Sequence, residues 1–315
     1  MMPHLLPYPS LPAESIGIHP PERLPASLRI GTVALQVNDL PASLAFYESV
    51  LGFRRLRLRP RTEAHMASAE LGAAGRDDVL LVLEEQPGVR PVPRRGLLGL
   101  YHLAVLLPTR ADLGRFMRHV NSLGVQVGSS DHAYSEATYL VDPDGITVEV
   151  YRDRPRNEWQ VSAQGEIQSA LDPLDTPAVL RAAGDAPWQG LPAGTTLGHL
   201  HFYTGDLAQA EAFYHAALGF DKVTWSLPGA LFVSAGGYHH HLGLNVWAAG
   251  SSVATDQDAR LLHWDLILPD AASVAAATVR LQKAGYSVEH TPAGPEATDP
   301  WGIRVRLLPE TSAAS

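Results

Sequence analysis

A chain of 315 residues, 45% apolar and 18% charged, has the composition of an ordinary folded protein and the length for two domains. Its formal charge of -9 and pI near 5.8 leave no basic surface for nucleic acid or an anionic membrane, so neither is expected as a partner. With no cysteine there are no disulfides, zinc–thiolate sites, iron–sulfur clusters or thiol nucleophiles, and any metal must be held by His, Asp or Glu.

The first residues, MMPHLLPYPSLPAESIGIHPPERLP, are broken by prolines and lack a basic stretch followed by an apolar one. They read as an N-terminal extension over 1–27, neither signal peptide nor membrane span, and a cytoplasmic location is expected. Thr32 to Val37 alternates as a strand. Asp39 is then placed to cap a helix whose Leu40, Leu44, Tyr47 and Leu51 share a face, and Gly52 can end it. The same pattern returns 167 residues later: Asp206-Leu207, Ala212-Phe213-Tyr214 and Leu218-Gly219-Phe220 repeat Asp39-Leu40, Ala45-Phe46-Tyr47 and Leu51-Gly52-Phe53. Such self-similarity marks an internal duplication.

Each half divides again. Leu100 to Pro108 and Leu262 to Pro269 open further units, each running into an amphipathic helix, Arg110 to Leu123 and Ala271 to Ala284, that stops at a glycine, Gly124 or Gly285. The chain thus carries four copies of strand, helix, then three strands. The expected fold class is α+β, four βαβββ modules paired into two curved-sheet domains, because one such unit leaves a sheet face that only another can cover. By halves of the chain, the first domain is 28–152 (modules 28–90 and 99–152) and the second 196–310 (modules 196–250 and 260–310). Residues 153–195, rich in proline, glycine and charge, read as the linker, with a short helix over Pro177 to Ala183.

Asp131 to Tyr151, DHAYSEATYLVDPDGITVEVY, reads as a hairpin turning at Asp142-Pro143-Asp144-Gly145. Beyond the turn Ile146, Val148 and Val150 face one way, and Thr147, Glu149 and Tyr151 the other. A lone mid-strand glutamate is most simply explained by a wet face. Its turn has a counterpart in the last unit, where DPWGIRVRL (Asp299 to Leu307) parallels DPDGITVEV (Asp142 to Val150). No P-loop, dinucleotide fingerprint or GxSxG nucleophile turn is present.

The four βαβββ copies, DHAYSEATYLVDPDG and GGYHHHLGLNVW together resemble the vicinal oxygen chelate superfamily, which holds glyoxalase I, extradiol ring-cleaving dioxygenases and the bleomycin and fosfomycin resistance proteins. The bacterial catechol 2,3-dioxygenase-like two-domain proteins are similar over roughly Arg29 to Leu308. This glyoxalase fold hosts several chemistries.

The resemblance implies metal ligands on a unit's first strand, seven residues before the helix cap, and on its last strand. Those positions are Thr32, His102, His199 and His263, with Glu149 and Arg306 at the last-strand position. Neither half is complete alone. Pairing the second unit with the third would unite His102, Glu149 and His199, two imidazoles and one carboxylate as in non-haem iron(II) sites, and leave Thr32, His263 and Arg306 in a ligand-poor pair. Fe(II) is the implied cofactor, with Mn(II) or Zn(II) as alternatives. His132 and Tyr139 are the implied acid–base and hydrogen-bonding groups beside the metal, the former two residues closer to the tyrosine than in ring-cleaving relatives.

In His239-His240-His241, alternation lets only His239, His241, Gly243 and Asn245 share a face. Gly243 lies near where glyoxalase-type relatives offer a further ligand, and a glycine there would leave the metal an open position. His241 is expected to act in catalysis and, with His201 and Asn245, to bind substrate; a polar strand edge is the plainer account. The implied activity is a metal-dependent extradiol dioxygenase, with a small aromatic diol and dioxygen as partners and a homo-oligomer left open. The alternatives are a glyoxalase-like isomerase or lyase and a non-catalytic binding protein.

Overall fold

The computed structural model describes residues 12–310. Residues 1–11, part of the extension expected over 1–27, and residues 311–315 lie outside the described residues. Unit one is β1 (Arg29–Val37), α1 (Leu40–Leu44), β2 (Arg54–Arg59), β3 (Ser68–Gly72) and β4 (Leu81–Glu85). Unit two is β5 (Gly99–Leu106), α2 (Arg110–Ser122), β6 (Gly128–Asp131), β7 (Ser135–Val141) and β8 (Thr147–Asp153). After α3 (Thr176–Ala182), unit three is β9 (Thr196–Tyr203), α4 (Leu207–Ala210), β10 (Asp221–Thr224), β11 (Ala230–Ser234) and β12 (Leu242–Asn245). Unit four is β13 (Arg260–Leu268), α5 (Ala271–Lys283), β14 (Val288–Thr291), β15 (Gly294–Thr298) and β16 (Arg304–Pro309).

Each unit helix starts at a side chain that accepts a backbone N–H three residues on: Asp39 from Ala42, Thr109 from Asp112, Asp206 from Gln209 and Asp270 from Ser273. The helices of units one and three are short and widen into π-type turns, Ala45–Val50 and Glu211–Ala217, which close at Gly52 and Gly219 with φ of +85° and +105°.

The sheets do not follow the halves of the chain. One eight-stranded sheet runs β10-β11-β12-β9-β5-β8-β7-β6, joining units three and two, and the other runs β14-β15-β16-β13-β1-β4-β3-β2, joining units four and one. The seams are the antiparallel pairs β5–β9 and β1–β13. The expected halves 28–152 and 196–310 therefore each give one unit to either sheet. Leu103, Val105 and Val148 of one sheet, Val33, Leu35 and Trp264 of the other, and Tyr47, Phe116 and Phe213 between them form one continuous buried core.

Within each half the units are tied differently. Tyr47 donates its hydroxyl to Asp142 Oδ2 at 3.0 Å, and in the duplicate Tyr214 donates to Asp299 Oδ2 at 2.9 Å. The other oxygen of each aspartate accepts two backbone N–H groups of its own turn, Asp144 and Ile146 or Trp301 and Ile303. Burial nevertheless lifts Asp142 to about 7 and Asp299 to about 6, against the backbone and tyrosine donors that favour the ionised forms. A carboxyl with a raised folded pKa binds its proton more tightly folded than unfolded. Its contribution is fully present below the unfolded pKa and is lost as pH rises through the folded value. The melting temperature should accordingly fall between about pH 4 and pH 7, and Asp142→Asn, which mimics the protonated form, should flatten that fall in a pH series of thermal melts.

The segment expected to be a plain linker does more. Its Trp159, Val161 and Ile167 pack with Val223, Ala230 and Phe232 of unit three, and Asp172 pairs with Asp131 of unit two. It spans the open side of the β5–β9 sheet, where the sequence-derived site residues lie.

Candidate metal centre

Strand registry puts the site together. Across β7, β8, β5 and β9, Tyr139 stands opposite Glu149, Glu149 beside Ala104, and Ala104 opposite His199. One step along the same face, a second row runs from His102 through His201 and Gly243 to Phe232. Side chains in register on one face of a sheet are neighbours, so the small methyl of Ala104 leaves the space in which Glu149, His102 and His199 meet.

Glu149 Oε2 lies 3.0 Å from His102 Nε2 and 3.1 Å from His199 Nε2, and the two nitrogens are 3.4 Å apart. Among the described residues this is the group of histidine and acidic side chains with metal-holding geometry. Two donors each about 2.1 Å from one ion and at right angles would stand roughly 3 Å apart, so the triangle has the size an ion requires. Two ring nitrogens crowding one carboxylate oxygen is an arrangement that a shared cation relieves. Protonation also fits. Burial pushes His102 and His199 below the ordinary imidazole value, against the pull of Glu149. Burial pushes Glu149 up, but His199 and His102 outweigh it and hold it well below the usual carboxylate range. Neutral imidazoles and an ionised carboxylate are the ligand forms of a divalent metal. Both Nδ1 atoms are buried without a partner among the described residues, so each ring is oriented by packing and by its Nε2 contacts.

The triad forms part of the lining of a cavity of about 280 Å³. Tyr101 and the half-exposed Trp247 stand on one side, with Tyr101 stacked on Tyr203 at 4.5 Å. Phe232 and Leu227 belong to unit three, and Ser169 to Leu171 come from the connecting segment. Glu149 is the acidic residue of this lining, and no Lys or Arg belongs to it among the described residues.

Hydrogen bonds fix several proton positions. His132 Nδ1 donates to the Ala170 carbonyl at 3.0 Å, which leaves its Nε2 to accept the Tyr139 hydroxyl at 2.7 Å. Desolvation and then Glu149 raise Tyr139 well above an ordinary phenol, so it stays a donor. The Trp247 backbone N–H donates to Asn245 Oδ1, so the Asn245 amide N–H donates to His201 Nε2 at 2.9 Å. Burial, then His102, push His201 well below the ordinary imidazole value, and as a neutral ring it carries its proton on Nδ1.

His102, Glu149, His199, His132, Tyr139 and His201 thus surround one cavity. Asn245 sits behind His201, fully buried, and supports it rather than lining the cavity. His241 is not there. Regular pairing of β12 begins only at Leu242, and the His241 side chain turns to Ser234 Oγ, 2.9 Å from its Nδ1. Gly243 has a use other than an open coordination position: a Cβ there would meet the His201 ring at 2.8 Å. The residue that reaches the cavity from the histidine run is His240, its ring 4.2 Å from that of His199. Strict alternation hid it, because the chain turns through Gly236 and Gly237, with φ of +62° and +63°, before the strand resumes. Tyr101, Trp247 and the segment Ser169 to Leu171 were also missed, and only Tyr101, next to His102, carried a local signal.

The other sheet has the corresponding row without the chemistry. Asp265 stands where Ala104 does, opposite Arg306, and Arg306 bonds Glu296 at 2.9 Å. Thr32 donates to the Val79 carbonyl, and burial, then Arg306 and Arg304, push His263 down to about 3. The Arg306–Glu296 ion pair stands where the first sheet carries Glu149 and Tyr139.

A family model described as the glyoxalase/bleomycin resistance protein/dioxygenase superfamily matches residues 29–150 and 196–307. A curated relative, the catechol-2,3-dioxygenase of Bacillus subtilis (strain 168), is 41% identical over 273 residues, covering 86% of this chain and 93% of the relative. Among solved structures, a candidate dioxygenase from Bacillus subtilis matches with a TM-score of 0.65 at 12% identity, over 92% of this chain and 87% of that one. Glyoxalase I from Zea mays matches with a TM-score of 0.55 at 17% identity, over 90% and 92%. At such identities the structures speak for the fold alone, whereas the family model and the curated relative cover most of the sequence. The chain belongs to the glyoxalase/bleomycin resistance protein/dioxygenase superfamily.

Proposed function

We propose that the protein is a metal-dependent extradiol ring-cleaving dioxygenase acting on a catechol-type diol, with Fe(II) as its metal and His102, Glu149 and His199 as its protein ligands. The observation that supports this most is the convergence of three donor atoms, from three strands of two units, into a triangle with sides of 3.0 to 3.4 Å. Two imidazoles and one carboxylate leave room for further ligands and suit iron(II) or manganese(II). When bound, the ion would supply a positive centre that both oxygens of a vicinal diol and dioxygen can join.

The chain's own groups do the rest. Tyr139, held as a donor by His132, can hydrogen-bond a diol oxygen beside Glu149, and the protonated Nδ1 of His201 offers a second donor. Tyr101 and Trp247 give a planar ring an aromatic wall. The cavity also selects by charge. A substrate carboxylate would be buried near Glu149 with no cation in the described lining to meet it. Uncharged catechols should therefore exceed carboxylated ones by about a hundredfold or more in kcat/KM, since an unpaired buried charge costs several kcal/mol.

Protein prepared without air, loaded with Fe(II) and given a panel of vicinal diols should consume one dioxygen per ring opened, with uncharged catechols preferred. Metal-loaded protein that consumes no dioxygen with any diol but isomerises thiol–aldehyde adducts would overturn the reading in favour of glyoxalase-like chemistry.

A further inference from the structure

Behind His240 lies a chain of polar contacts that the ligand triad does not use. His240 Nδ1 is 2.8 Å from His239 Nδ1, and His239 Nε2 is 2.7 Å from Asp153 Oδ1 at the end of β8. His239 is fully buried. Its ring is held between Tyr134, at 4.4 Å and 13°, and Tyr238, at 4.1 Å. In the orientation it holds, both ring nitrogens are paired. The His240 ring lines the cavity, and among the described residues its one hydrogen bond is through Nδ1.

We propose that Asp153, acting through His239, fixes the tautomer of His240 so that an unprotonated Nε2 faces the cavity. An ionised carboxylate offers acceptors only, so the 2.7 Å contact puts the His239 proton on Nε2. With one proton on each ring, the His239 Nδ1 is bare and can only accept, so the proton between the two rings belongs to His240 Nδ1. A neutral His240 has no second proton.

Asp153 and His239 are positioning residues, neither of which lines the cavity. The consequence for chemistry rests on the ring-cleavage reading. A bare Nε2 can take a proton from a bound diol: the O–H bond breaks, an N–H bond forms on His240, and the positive charge on its ring is met by His239 and, beyond it, Asp153. With the opposite tautomer, an N–H would face the diol and no proton could be taken.

The test begins with metal-free protein labelled with 15N-histidine, in which two-bond 1H–15N spectra report the tautomer of each ring, and His240→Gln assigns the signals. Wild type should show His240 protonated on Nδ1 and His239 on Nε2. In Asp153→Asn the amide donates to His239 Nε2, so both rings should invert, and Asp153→Glu should restore the wild-type pattern. A wild-type His240 protonated on Nε2, or a pattern unchanged in Asp153→Asn, would overturn the proposal. The wild-type spectrum decides even if the variant fails to fold. If the protein cleaves diols, Asp153→Asn should also lower kcat by about a hundredfold with KM little changed, the signature of a wrong tautomer at an acid–base group. Absence of turnover in wild type would count against the ring-cleavage reading and leave the spectra to judge the tautomer.

Discussion

Glu149→Gln is expected to fold and to lose its response to divalent metal. The glutamine has the shape of the glutamate and can still accept a hydrogen bond from His102 or His199, and it removes a buried charge. The metal-free variant should therefore stay within about 2 kcal/mol of wild type, because deleting a desolvated ion often costs little when its neighbours remain satisfied. Wild type at a metal concentration a thousand times its Kd should gain about 4 kcal/mol of stability. The variant, left with two neutral imidazoles, should gain nothing at that concentration. Thermal melts with and without Fe(II) under anaerobic conditions read both quantities. A variant that keeps the full metal-dependent shift would remove Glu149 from the site.

A second large effect is expected where no proposed ligand is touched. Ala104 is fully buried in register between Glu149 and His199, on the strand that also carries His102. Ala104→Leu adds three carbons where the donor atoms converge. Overpacking of this kind costs about 1–3 kcal/mol, and here the side chains that would give way are the proposed ligands. The variant should fold with a lowered melting temperature and show at least a hundredfold weaker metal affinity. Ala104→Gly should lose about 1 kcal/mol through strand flexibility and keep its metal. Equal metal affinity in the leucine variant would mean that the space beside Ala104 is not where an ion sits. In the other sheet Asp265 occupies the place of Ala104, beside an Arg306 that pairs with Glu296.

Much of this was legible in the sequence because it is local. The four cap positions, the turn at Asp142 to Gly145 and the alternation that faces Glu149 away from Val148 and Val150 depend on residues a few places apart. The duplication then located equivalent positions, and the incompleteness of each half suggested that units two and three share a sheet. The seams could not be read directly: nothing in the strand beginning at Thr196 says that it pairs with β5 rather than with a strand of its own half. What defeated the alternation rule was the glycine pair Gly236-Gly237. It breaks the strand, turns His241 to Ser234 and sends His240 into the cavity. The connecting segment hid its role in a similar way, since Ala170 contributes a backbone carbonyl to His132, and a carbonyl has no sequence signature.

The central claim is that one ion is held jointly by the two halves of the chain, at His102, His199 and Glu149. The most direct measurement is anomalous diffraction at the iron edge from crystals grown anaerobically with Fe(II). The account predicts one peak per chain within bonding distance of both Nε2 atoms and a Glu149 oxygen. A peak at the His239–His240 pair instead, or none at the triad at saturating iron, would contradict it.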